Sequence, residues 1–174
     1  MRGRFSPARR DGFGLLEVMI SIVIVAILAV IAASSFRGMM EKYRVEGETK
    51  QFHADLMEAR ARAMQRYRVH FVRIDAGGLG YKTYDDTSPP PDGNGTYDGG
   101  ADAIVASRTV RHPITSTVTG GGLNFAFSRN GIASETGDIR FPSAVIPDYD
   151  CITVRSTRVK MGAYNTGTGT CDEK

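Results

Sequence analysis

The sequence predicts an α+β chain in which a long N-terminal helix packs its second half on an antiparallel, β-rich head. Residues 13–36 form an apolar run with a single charged side chain, Glu17, and apolar residues then recur at helical spacing to about residue 68. From Val69 the period falls to two, and turn residues follow at short intervals. At 174 residues the chain has room for about one domain, so the head is one modest unit.

The run FGLLEVMISIVIVAILAVIAASSF would make a helix about 36 Å long at 1.5 Å per residue, enough to cross the hydrocarbon core of a bilayer. Arg2, Arg4, Arg9 and Arg10 precede it, which keeps that side cytoplasmic and sends the head across the membrane. A cleaved secretory signal has the same order of regions, with Ala32, Ala33 and Ser34 as its small-residue cleavage site. The length of the run and the glutamate at its start argue against that reading, because a carboxylate in lipid is costly and needs a cationic partner. A cut between Gly12 and Phe13 would supply one: the new α-amino group of one chain could neutralise Glu17 of a neighbour. Misregistered packing would then leave a charge unpaired in an apolar core.

At these residues the chain resembles a known signal. Gly12-Phe13-Gly14-Leu15-Leu16-Glu17-Val18 is similar to the leader junction of type IV prepilins and type II secretion pseudopilins, with Gly14 where threonine is usual. Gln51 to Val72, Phe125 to Gly131, and Cys151 to Arg155 with Arg158 to Lys160 are similar to stretches of the GspH/FimT family of minor pilins and pseudopilins.

The resemblance implies a type IV pilin-like fold, a prepilin peptidase that cuts after Gly12 and N-methylates Phe13, and an assembly role for Glu17. It divides the chain into a leader (1–12), a transmembrane and filament-core helix (13–36), an amphipathic continuation (37–68) and the head (69–174). The expected function is that of a structural subunit of a type IV pilus or type II secretion pseudopilus, in its initiating or tip complex. Expected partners are other pilins, the peptidase and the bacterial inner membrane, with the head periplasmic before assembly. A DNA-binding minor pilin for DNA uptake is the alternative, and a signal-anchored secreted enzyme a more distant one.

Within the continuation, Phe52, Leu56, Ala59, Ala63 and Tyr67 fall on one helical stripe that would face a sheet, with Gly38 and Gly47 as the places for a bend. Strand candidates follow at 69–74, 81–84, 104–110, 123–127, 132–134, 139–141, 151–155 and 159–161, and Asn130-Gly131 is a turn signal.

Without residues 1–12 the chain carries 18 basic and 18 acidic side chains, so bulk charge is no argument for a nucleic-acid partner. Charge is instead sorted along the chain: residues 75–102 hold 6 acids and 1 base. Within the acidic loop 85–102, Asp92, Asn94, Thr96 and Asp98 space oxygen ligands as the first half of a calcium loop does. Tyr97 stands where such a loop needs its sharp-turn glycine, and Ala103 where it needs glutamate, so a flexible, solvated loop is the competing expectation. Calcium is the one cofactor candidate. Cys151 and Cys171 lack a zinc-ligand pattern and are expected to pair as a disulfide outside the cytoplasm. Arg155, Arg158 and Lys160, enclosed by that pair, are where DNA phosphates would be met; a solvated charged strand face explains them as well. The chain has no HExxH, GxSxG or GxxxxGK motif for an enzyme reading to stand on.

Overall fold

The computed structural model describes residues 14–118 and 123–174, with residues 33–35 described by backbone alone. Helix α1 runs from Leu15 to Arg66. The chain divides into two compact units between Met39 and Met40. In the second unit the helix buries Val45, Thr49, Phe52, Leu56, Ala59 and Ala63, spaced alternately four and three apart. This is the period of a helix with one buried face. Thr49 is tolerated there because its hydroxyl donates to the Val45 carbonyl at 2.9 Å.

Tyr67, expected on that stripe, lies off it. The helix stops at Arg66, Tyr67 turns left-handed (φ 52°), and the Arg68 N–H reaches back to the Ala63 carbonyl at 3.2 Å. This is the Schellman arrangement that satisfies the last helical carbonyls. The turn swings Tyr67 out of the core, where its ring takes the Arg129 guanidinium 5.5 Å above it.

Nine strands follow: β1 (His70–Ile74), β2 (Gly80–Asp85), β3 (Ala103–Thr109), β4 (Thr115–Val118), β5 (Asn124–Phe127), β6 (Gly137–Arg140), β7 (Cys151–Val154), β8 (Val159–Asn165) and β9 (Thr170–Glu173). They form a four-stranded sheet in the order β3-β2-β1-β5 and a five-stranded sheet in the order β4-β6-β7-β8-β9, antiparallel throughout. The predicted hairpin at Gly77 to Gly80 joins β1 to β2, with Val72 opposite Thr83. The expected strand at 132–134 shrinks to one bridge, Ala133 with Phe127. β4 and β9 were not foreseen from the sequence.

One apolar core joins the helix to both sheets: Phe52 and Leu56 meet Val72, Tyr81 and Phe125 of the first sheet and Ile139 and Ile152 of the second. Asp55 is a polar latch inside this interface, accepting from Tyr81 Oη (2.7 Å), Arg108 Nε (2.6 Å) and Gln51 Nε2 (2.9 Å). Burial first, and then the bond to Asp55, push the Tyr81 phenol far above its ordinary pKa.

The acidic segment between β2 and β3 is anchored, contrary to the expectation of a flexible, solvated loop. Tyr97 packs edge-on against Tyr84 at 4.9 Å and Phe71 at 6.0 Å, with the Arg73 guanidinium 4.7 Å over its ring. Asp86 accepts the N–H groups of Asn94 (3.2 Å) and Gly95 (2.6 Å), while Asp102 accepts those of Thr87, Ser88 and Asp98. Gly93 sits at φ 75°, where any Cβ would overlap the Asp86 carboxylate. The buried acids therefore work as backbone caps for this loop.

Candidate functional site

In the first unit α1 presents an apolar helical surface. An 18-residue window of α1 has a mean hydropathy of 3.0 and none of it is buried. Leu16, Met19, Ile20, Val23, Ile24 and Ile27 are each more than half exposed. Covering a Val, Leu or Ile side chain is worth about 1.5–3 kcal/mol, so this surface has a strong drive into lipid or against other helices. Glu17 stands in its first turn, where a carboxylate complements the positive end of the helix dipole. The Glu17 carbonyl accepts the Ser21 hydroxyl at 2.7 Å, which removes a polar group from the apolar face. Gly12, Phe13 and the leader lie outside the described residues.

On the head, Cys151 and Cys171 are joined, with Cα atoms 5.9 Å apart. The bond links β7 to β9 across the intervening β8. It passes over Gly162, where an added Cβ would lie 3.0 Å from Cys171 Sγ and overlap the Asp172 carbonyl.

The three basic residues singled out for DNA each have a carboxylate partner. Arg155 reaches Asp138 at 3.2 Å, and Arg158 and Lys160 share Glu173 at 3.1 and 3.3 Å. Of the calcium-loop residues, Asn94 turns its Nδ2 toward Asp98 (2.7 Å), and its Oδ1 already accepts from the Thr96 N–H and hydroxyl. Asp92 points outward, 3.7 Å from Arg68. Among the described residues no group of three or more His, Cys, Asp or Glu side chains is arranged to hold a metal ion.

A second charged cluster had no signal in the sequence. His112, on the loop from β3 to β4, lies between two helix glutamates, with Nε2 2.7 Å from Glu41 and Nδ1 2.8 Å from Glu48. Glu48 also accepts the backbone N–H groups of Arg111 (2.9 Å) and His112 (3.1 Å). Glu41 and Glu48 are one heptad apart on one helix face, but the histidine that meets them comes from a distant loop.

Burial disfavours the His112 charge, but the two glutamate bonds together outweigh it and hold its pKa above the ordinary value. A raised folded-state pKa means the clasp contributes fully below about pH 6.5 and weakens as pH rises through the folded value. His70 shifts the other way, its pKa lowered by burial, so its cost appears as pH falls below the ordinary histidine range. Thermal unfolding between about pH 5 and 9 should therefore peak near neutrality, and His112→Gln should flatten the alkaline side of that profile while leaving the acid side.

A family model described as the prokaryotic N-terminal methylation motif matches residues 7–33. Among solved structures, the chain is similar to the type IV minor pilin FimU of Pseudomonas aeruginosa strain PAO1, at 15% identity over 71% of this chain and 91% of that one, with a TM-score of 0.50. A second crystal form of FimU aligns at 14% identity over 67% of this chain and 90% of that one, with a TM-score of 0.48. No curated protein matches in sequence. Motif and fold define the class: this is a chain with a prepilin-type methylation motif and the type IV pilin fold. The predicted α+β architecture and the disulfide are both present in it.

Proposed function

We propose that the chain is a minor pilin or pseudopilin of the GspH/FimT type, a structural subunit of a type IV pilus or type II secretion pseudopilus that acts in its initiating or tip complex. A prepilin peptidase removes residues 1–12 and methylates Phe13. The helix first anchors the subunit in the inner membrane, with the head periplasmic, and then packs among other pilin helices. The observation that carries this reading is the wholly unburied apolar stretch of α1 bearing a single carboxylate.

In a filament, Glu17 would meet the Phe13 amine of an adjacent subunit. That pair tolerates one axial register and penalises others, since an uncompensated charge in an apolar core costs several kcal/mol. Glu17→Ala should leave leader cleavage intact and lower recovery of the subunit in sheared filament or pseudopilus fractions at least about tenfold, the equilibrium equivalent of losing about 1.4 kcal/mol or more. Undiminished recovery would count against the pairing.

A further inference from the structure

The crest of the acidic loop reads Asp92-Gly93-Asn94-Gly95-Thr96. An asparagine two residues before threonine, with no intervening proline, is the acceptor pattern for N-glycosylation of exported chains. An acid, Asp92, stands two residues before the asparagine. We propose that Asn94 is an N-glycosylation site, its side-chain amide accepting an oligosaccharide from a polyprenyl-diphosphate donor on the far side of the membrane. The proposal rests on the membrane-anchored reading above, which brings the head to the compartment and the lipid surface where such donors are used.

The fold places this pentapeptide at the surface. Asn94, Gly95 and Thr96 are exposed, and the Asp92 side chain is 73% exposed. The Thr96 N–H and hydroxyl both donate to Asn94 Oδ1, at 2.8 and 2.6 Å. The hydroxyl the motif demands is therefore already on the acceptor amide. Asp98 Oδ2 accepts from Asn94 Nδ2 at 2.7 Å, so the nitrogen that must react faces outward among polar groups rather than into the core.

Room for a glycan is available on this side of the loop. A Cβ added at Gly95, Gly99 or Gly100 would meet nothing within 4 Å. On the inner side, Asp86 fixes the loop through the Asn94 and Gly95 N–H groups. A substituent on Asn94 would thus project from a stable base without displacing packed residues.

The chemistry balances without redox. Asn94 Nδ2 bonds to the anomeric carbon, the bond from that carbon to the diphosphate oxygen breaks with its electron pair leaving on the lipid diphosphate, and one amide proton is lost to solvent.

The test is mass spectrometry of the full chain from its native host, read on the tryptic peptide 83–108. Expected are an oligosaccharide on Asn94, its loss in Thr96→Ala and its retention in Thr96→Ser. A leader-processed, membrane- or filament-located chain whose peptide is unmodified, or carries only conversion of Asn94 to aspartate, overturns the site while sparing the pilin reading. A leader-bearing chain in the cytosol is instead the failure of that reading. Incubating the detergent-purified chain with a bacterial oligosaccharyltransferase and a polyprenyl-diphosphate glycan then decides the site by itself: transfer to Asn94 supports it, and no transfer overturns it.

Discussion

Replacing Phe52 with alanine is expected to destabilise the head by about 4 kcal/mol, the middle of the range for truncating a buried aromatic residue. The side chain is fully buried. Its ring meets Tyr81 at 4.4 Å and Phe141 at 6.0 Å, both edge to face. Tyr81 belongs to the first sheet and Phe141 directly follows β6 of the second, so this one ring binds the helix to both. Its loss removes those contacts and leaves a cavity that the Asp55 latch hinders from collapsing, since Tyr81 is tied in place through its hydroxyl. Phe52→Leu keeps most of the volume and should cost less than half as much, about 1–1.5 kcal/mol. Urea unfolding of the detergent-solubilised chain, followed by tyrosine fluorescence, checks both; a loss below about 1 kcal/mol for the alanine variant would mean that the helix is not keyed to the sheets through this residue.

Removing both cysteines together, Cys151→Ala with Cys171→Ala, is expected to cost about 3 kcal/mol, the chain-entropy value for a loop of this size. The bond closes a separation of 20 residues. What it holds is β9, an edge strand whose residues are alternately exposed and half-buried. Beyond its ladder to β8, the last strand is held by polar contacts such as the Lys174 N–H to the Met161 carbonyl at 3.0 Å. Without the disulfide β9 should fray first, so the double variant should also expose the C-terminus to limited proteolysis while the helix and first sheet stay protected. Uniform loss of protection would contradict the local role assigned to the bond.

Much of this architecture was legible because its signals are periodic. The helix announces itself by apolar spacing, and the change at Val69 by alternation; β1, β2 and β7 carry enough apolar residues to be found. β4 and β9 do not. Thr115-Ser-Thr-Val and Thr170-Cys-Asp-Glu lie on sheet edges, where little is buried and pairing, rather than composition, makes the strand. Tyr67 fits the helical stripe by spacing, but the helix ends one residue before it.

The same limit applies to charge. Asp85, Asp86 and Asp102 look solvated in sequence, yet each is almost wholly buried, because an aspartate that holds arginines, as Asp85 does, or caps backbone N–H groups, as Asp86 and Asp102 do, has the same letter as one in water. The partners of Arg155, Arg158 and Lys160 come from strands and ends brought alongside by the sheet. Glu17 stands out for the opposite reason: one carboxylate in an otherwise apolar run needs no tertiary context to be noticed.

The N-terminus of the protein recovered from its native membranes and sheared surface fractions tests the central claim most directly. Intact-mass measurement should find a chain that begins at N-methylated Phe13. A chain that retains Met1 to Gly12, or one trimmed after the small residues at 32–34 and released without its apolar helix, would contradict it.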